Sequence, residues 1–331
     1  MRVWVIEEHG KPEVFKEVER PTPTPGPGEV RIKVAATSVN PIDYKIRSGV
    51  AEALCPTKPA ILHGDVSGVI DAVGDGVRDW KIGDAVFGCI GGVDGTQGAL
   101  ADYAIADKDL IAHAPAAVPL ADAAAMPLVY LTAYEGLCEL NLQGAHILIH
   151  GGAGGVGHMA LQLAKAWGAD VSVTVSNDEK AQVAKRLGAD HTINYQKESV
   201  EAYTHRLTLG VGFDAVFDTV GGDHIAKSIE AVKHNGTVVC TQSRGAIDGS
   251  LLHAKGVTFV AVFMLIPLLH GIHREAHSQA LMGLAEMTGF EEIKPLIDNK
   301  RFTFDQIAKA HAYAESGKQI GKVLVVHPDH Q

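Results

Sequence analysis

Hydrophobic and polar positions divide this chain into two dialects. Up to about residue 120 the apolar residues come in short β-branched runs: Val3-Trp4-Val5-Ile6, Val30-Arg31-Ile32-Lys33-Val34, and the stretch from Val66 to Val73. Runs this short predict strands rather than helix faces. Turn formers separate them, notably Pro21-Thr-Pro-Thr-Pro-Gly-Pro-Gly28 and Gly91-Gly-Val-Asp-Gly95, where proline and glycine interrupt a ladder. Near Leu120 alanine and leucine take over at helical spacing. From His146 onward apolar runs alternate with helical stretches, giving strands at His146–His150, Val171–Val175, Asp214–Asp218, Thr237–Thr241 and Val257–Val262. Strand and helix in alternation predict βαβ units and a doubly wound parallel sheet. After Pro267 a helical stretch leads to a further helix start at Phe302–Ile307 and a last strand at Lys322–Val326. The tail is expected to return to the β-rich lobe. That makes one domain discontinuous, 1–122 with 265–331, around an α/β domain of 123–264.

The first strand of the α/β part runs into Gly151-Gly-Ala-Gly-Gly-Val-Gly157 and then a helical pattern. Gly152, Gly154 and Gly157 satisfy G-x-G-x-x-G: one glycine permits the tight turn, one lets backbone approach a pyrophosphate, and one lets helix and strand pack closely. With strand before and helix after, the turn predicts a dinucleotide site that includes Ala153, Gly155 and Val156. Enzymes using NAD place an acid roughly 20 residues further on, against the ribose 2′-hydroxyl. The corresponding position here is Ser176. A neutral hydroxyl leaves room for a 2′-phosphate, with Lys180 and Tyr195 as candidates to face it, so NADPH is the expected cofactor. Asp178 and Glu179 would repel that phosphate if turned inward; the expectation is that they cap the following helix.

A length of 331 residues exceeds what one core usually supports and fits two lobes. The net charge of −10 gives no attraction for nucleic acid or anionic lipid. The most apolar segment, Val257 to Leu269, spans 13 residues and contains Pro267, short of the about 20 a membrane helix needs. It is expected to be a buried strand followed by a turn. Two acids among the first ten residues argue against a signal peptide. The four cysteines are scattered with no CxxC pair, so neither disulfides nor a clustered metal site is signalled, and a cytoplasmic setting is expected. His270, His273 and His277 fall on one face if a single helix covers them, but no acid or cysteine nearby completes a metal site.

Several ordered phrases resemble the medium-chain dehydrogenase/reductase superfamily, in its zinc-free quinone oxidoreductase branch, over nearly the whole chain. They include Pro25–Val34, Val39-Asn-Pro-Ile-Asp-Tyr-Lys-Ile-Arg-Ser-Gly49, Gly64-Asp-Val-Ser-Gly-Val-Ile70, Lys81–Gly88, Leu131-Thr-Ala-Tyr-Glu135, Phe217-Asp-Thr-Val-Gly221 and Gly321-Lys-Val323. The resemblance implies a GroES-like β-rich catalytic domain joined to a Rossmann cofactor domain. Val257–Val262 reads as the last, edge strand of the sheet, and its apolar edge is expected to pair with its twin in a homodimer. Zinc relatives hold catalytic metal at places occupied here by Asn40, Gly64 and Leu128, and the structural zinc lobe is missing; no metal is expected. The resemblance also places Asn40, Lys45 and Thr132 at the nicotinamide and substrate. Ser243, Arg244, Phe263 and Met264 join the glycine turn around the cofactor.

Without a Lewis acid, alcohol oxidation lacks a means of stabilising alkoxide. Hydride addition to a quinone or α,β-unsaturated carbonyl needs only positioning and hydrogen bonds to a delocalised oxyanion. Lys45 stands where many quinone reductases have tyrosine and resembles the plant enone reductases. A reductase of one pathway intermediate, an acyl-thioester reductase, and a non-catalytic NADPH-binding protein of crystallin-like or regulatory role remain open on the sequence.

Overall fold

The β-branched runs pair as their patterns dictate. In β3 (Glu29–Val39) Val30, Ile32 and Val34 are buried between more exposed neighbours, and from Val34 to Val39 every residue is buried, so the strand begins at a sheet surface and ends in the core. The computed structural model describes residues 1–290 and 292–330, and the chain divides into two units, Met1–Leu128 with Leu265–Gln331, and Val129–Met264. Elements are numbered in chain order.

The first unit holds two sheets. One is β2 (Phe15–Glu19), β1 (Arg2–Ile6) and β4 (Ala60–Ile61). The other runs β15 (Phe302–Thr303), β16 (Val323–Val326), β3, β5 (Asp65–Val73), β6 (Ala85–Cys89), β8 (Ile111–His113), with β7 (Tyr103–Asp107) also paired to β3. Strand β16 lies antiparallel to β3 with Val323 opposite Val39. That register brings the residue before β16, Lys322, beside Asn40, the N-cap of α1 (Pro41–Ser48). The unit leaves off at Leu128 rather than at residue 122 because α2 (Leu120–Ala123) packs on β3 and β5. Ala124 and Ala125 then join Ala36 and Leu324 in one apolar cluster. Helices α9 (Ile266–His270), α10 (Arg274–Gly289) and α11 (Ile307–Glu315) complete the unit.

The second unit is a six-stranded sheet in the order β11-β10-β9-β12-β13-β14, parallel at every pairing. The strands are β9 (His146–Ile149), β10 (Asp170–Val175), β11 (His191–Asn194), β12 (Phe213–Asp218), β13 (Val232–Cys240) and β14 (Thr258–Ala261). Helix α3 (Pro127–Cys138) precedes the sheet. Between strands come α4 (Gly155–Ala166), α5 (Asp178–Arg186), α6 (Val200–Thr208), α7 (Ile225–Ala231) and α8 (Gly249–Lys255). Leu148, Val216 and Val238 from the strands meet Tyr203, Ile225 and Ile229 from the helices in one buried cluster. The winding reverses between β9 and β12, the switch point where such sheets open a ligand crevice beyond their carboxyl ends.

Three expectations need correction. Strand β11 has no place among the five strands predicted; only Ile193 in it is buried, so its apolar signal is a single residue. Strand β14 is the sheet's edge strand as expected, but it has no buried residue, because only β13 pairs with it. The next element along the chain is helix α9, started by Pro267, rather than a turn. His270, His273 and His277 do not share a helix face: α9 ends at Gly271, His273 has φ of 54°, and His277 belongs to α10.

Candidate cofactor and active site

The expected cofactor residues of the second unit other than Lys180, which lies in the first turn of α5, follow the carboxyl ends of strands. The glycine turn follows β9, Ser176 follows β10, and Tyr195 follows β11. Ser243 and Arg244 come after β13, Phe263 and Met264 after β14. Thr132 is buried within α3. The turn is built by exclusion. A Cβ on Gly157 would sit 2.1 Å from the Gly151 carbonyl oxygen, and one on Gly152 would sit 2.5 Å from Val173 Cβ. Gly151 has φ of 74°, left-handed backbone that glycine adopts without strain. Gly154 caps α4 in extended conformation, leaving first-turn N–H groups available to an anion. The Gly151 N–H donates to Thr174 Oγ1 at 3.0 Å, and the Thr219 hydroxyl donates to the His150 carbonyl at 2.7 Å, fixing the start of the turn.

A cavity of about 590 Å³ opens beside that turn, lined by His150, Gly151, Thr174, Tyr195, Val220 and His224 among others, within the size range of small-molecule sites. Burial, then the neighbouring His224, push the His150 imidazole down to about 3, so it is neutral. Asp218 is buried at the end of β12. Burial alone would raise its pKa, but hydrogen bonds from His224, the Gly221 N–H and Ser228 outweigh it and hold the carboxyl below its ordinary range. At the position expected for a 2′-phosphate the helix cap is Asn177, whose Oδ1 accepts the Lys180 N–H at 2.8 Å. The capping role expected of Asp178 and Glu179 therefore belongs to Asn177. The two acids lie exposed in the first turn, with Asp178 turned to Lys197 at 3.5 Å.

In the first unit the sequence points to Asn40 and Lys45, and the structure adds the groups that hold Asn40. Asn40 Nδ2 donates to Asp65 Oδ2 at 2.7 Å, while Lys322 Nζ donates to Asn40 Oδ1 and, at 3.2 Å, to the Val39 carbonyl. Lys322 and Asp65 form an ion pair at 3.5 Å with side chains 3% and 0% exposed. The same carboxylate accepts from the Ser38 hydroxyl at 2.5 Å and from the Leu128 N–H at 2.8 Å, so it caps the start of α3. Burial lowers the Lys322 pKa, against the pull of Asp65 and Asp43. Asp43, at the third position of α1, accepts the Asn40 N–H at 2.6 Å, and burial raises it to about 7. Next to this group His63 is pushed down to about 3 by burial and by Lys322. Its Nε2 sits 2.8 Å from His311 Nε2, two neutral rings joined by an N–H···N hydrogen bond. Lys45 occupies the last turn of α1, half-buried. Sequence reading missed the roles of Asp65 and Lys322, although both stand inside the phrases Gly64–Ile70 and Gly321–Val323.

Zinc does not fit beside Asn40. The position already holds the Lys322 ammonium, and Leu128 offers only a backbone N–H, already given to Asp65. A Cβ at Gly64, needed for any ligand there, would meet the Gly91 carbonyl oxygen at 2.8 Å and Cys89 Sγ at 3.0 Å. Zinc requires several nitrogen, sulfur or carboxylate donors converging on one point, and here the buried carboxylates of Asp65 and Asp43 are already matched by the Lys322 ammonium. Burial also pushes the Cys55 thiol up, which leaves it a poor nucleophile.

A β-rich unit with a buried polar centre, together with a Rossmann sheet whose glycine turn sits at the switch point, defines a two-domain dehydrogenase or reductase. The chain belongs to the medium-chain dehydrogenase/reductase superfamily. Residues 26–116 match the alcohol dehydrogenase GroES-like domain, and residues 155–267 the family described as zinc-binding dehydrogenase. It is 35% identical to 2-methylene-furan-3-one reductase of Solanum lycopersicum, over 99% of this chain and 79% of that one. It is 32% identical to the chloroplastic NADPH-dependent alkenal/one oxidoreductase of Arabidopsis thaliana, over 98% and 79%. The structure of Escherichia coli quinone oxidoreductase complexed with NADPH superposes with a TM-score of 0.86 at 29% identity, covering 98% of this chain and all of that one.

Replacing Lys322 by methionine strands Asp65 and Asp43 in the interior without their cation, and urea unfolding should show a loss of about 3–5 kcal/mol. Adding Asp65→Asn should restore part of that loss, since the two sites share one interaction. Equal stability of Lys322→Met and wild type would show that the pair does not organise the unit.

Proposed function

We propose that this chain is an NADPH-dependent reductase that delivers hydride to quinones or α,β-unsaturated carbonyls without a catalytic metal. The observation that carries this reading is the pocket around Asn40, where a buried lysine and a glycine with no room for a side chain stand in place of metal ligands. When bound, NADPH supplies the hydride from its nicotinamide C4. The glycine turn, Gly152 to Gly157, holds the pyrophosphate with backbone N–H groups, and Ser243, Arg244, Phe263 and Met264 hold the nicotinamide end. Ser176, Lys180 and Tyr195 take the 2′-phosphate, supported by the turning of Asp178 toward Lys197. Asn40, held rigidly by Asp65 and Lys322, presents fixed amide geometry. Lys45 and Thr132 supply hydrogen bonds for the ribose and for the oxyanion that develops on the acceptor, whose own conjugation spreads the charge.

The protein is proposed to pair as a homodimer through β14, whose outer edge has no partner among the described residues and would otherwise invite uncontrolled pairing. Among the described residues no helix is long and apolar enough to cross a membrane. All four cysteines are free thiols, which supports a reducing compartment such as the cytoplasm.

Cofactor choice tests the phosphate assignment. Lys180→Ala should weaken NADPH by roughly tenfold to a hundredfold, the loss of one charge-assisted hydrogen bond, with NADH little changed. A wild type that prefers NADH would instead make Asp178 the ribose ligand.

Deuterium carried at C4 of NADPH should appear at the β-carbon of an enone product, with the α-hydrogen drawn from solvent. Label on the carbonyl carbon would mean ketone reduction. Lys45→Ala should lower kcat/KM by roughly tenfold to a thousandfold, whereas unchanged kinetics would return Lys45 to a surface role. Sedimentation at micromolar concentration should give a dimer, and a charged substitution at Val260 should shift it to monomer.

A further inference from the structure

Three strands of the cofactor unit begin with a metal-ligating side chain. His146 opens β9, Asp170 opens β10 and His191 opens β11. Register places them on one face. Asp170 pairs with His146 and Ser172 with His191, and residues two apart on β10 point the same way. All three lie at the amino ends of their strands, the edge opposite the glycine turn, and hydride transfer uses none of them.

We propose that His146, Asp170 and His191 form a binding site for a divalent transition ion of zinc type. One ligand atom from each lies within 4.8 Å of the others. Bonds of about 2.0–2.2 Å to a tetrahedral ion set donors roughly 3.4 Å apart. The closure is small for Asp170 and His191, whose side chains are 47% and 44% exposed. Asp170 Oδ1 has no hydrogen-bond partner although no solvent reaches it, and the nearest cationic candidate, His191 Nε2, is 4.0 Å away. A buried acceptor left open beside two imidazoles calls for a cation. His146 Nε2 lies 2.9 Å from Ser172 Oγ, a contact that orients the ring as outer hydroxyl and carbonyl groups orient metal-binding histidines. Asp190, next to His191, accepts from Lys165 Nζ and the Val171 N–H, both at 2.7 Å, and so holds the start of β11 in place. Two imidazoles and one carboxylate suit Zn²⁺, Ni²⁺ or Cu²⁺ and disfavour Mg²⁺ and Ca²⁺, which want oxygen ligands. The bound ion ties β9, β10 and β11 together at their amino ends, leaving its remaining position to water.

The test uses tag-free, full-length protein stripped with EDTA and titrated calorimetrically with Zn²⁺, with Mg²⁺ as control. Expected are a saturable site of micromolar or tighter affinity, a Tm that rises with Zn²⁺, and no response to Mg²⁺. His191→Asn and Asp170→Asn, both at exposed side chains, should each weaken Zn²⁺ by more than roughly tenfold and abolish the Tm rise. NADPH-linked turnover should stay unchanged in both variants and after chelation, which separates this site from the chemistry. No saturable Zn²⁺ binding would overturn the proposal. Equal affinity in the variants would overturn it too, by placing the ion among others of the chain's 17 histidines.

Discussion

One buried ion pair organises the β-rich unit. Lys322 arrives on the tail strand and Asp65 on β5, yet both side chains end on Asn40 at the start of α1. Burying either charge alone would cost several kcal/mol, and the pair is tolerable only because hydrogen bonds fill its remaining valences. Those bonds come from Ser38 and the Leu128 N–H to the carboxylate, and run from the ammonium to the Val39 carbonyl. The register of β16 on β3, the entry angle of α1 and the first turn of α3 are therefore fixed by one set of contacts. A slip of one residue in that register would carry Lys322 to the other face of the sheet.

The cofactor edge is built on a different principle. It is built on what is missing: side chains at Gly152 and Gly157, which would strike Val173 and the Gly151 carbonyl. The donors offered to an anion are backbone groups, so the sequence can mark them only through glycine. The polar groups beneath anchor backbone: Thr174 and Thr219 hold the start of the turn, and Asp218 holds the neighbouring loop at Gly221.

This difference explains what could be read from the amino-acid sequence. The glycine turn and the strands flanking it are legible because local sterics alone dictate them, and the apolar runs of β9, β10, β12 and β13 are long enough to carry a signal. Strand β11 is not, since Ile193 alone is buried in it. Asn40 is legible only through a family phrase. Its partners Asp65 and Lys322 lie 25 and 282 residues away, and no periodicity links residues so distant; they meet through strand register, which the sequence encodes only in sum. The cap at Asn177 does carry a local signal, because asparagine before an acidic first turn marks a helix start. The two acids beside it mask that signal, since a carboxylate suits the same end of a helix.

The buried lysine also bears on which chemistry this scaffold can support. A zinc ion would bring two positive charges to a place where Lys322 and Asp65 already balance, and a thiolate at position 40 would remove the amide that bridges them. A histidine at position 64 would press its Cβ against the Gly91 carbonyl, so that segment would have to move as well. The metal-free state is thus held by packing and charge together, several substitutions away from a metal-binding one. An enzyme so built has no strong Lewis acid for an alkoxide. Its productive substrates are those that delocalise the arriving electron pair themselves, which is the property that conjugated carbonyls and quinones share.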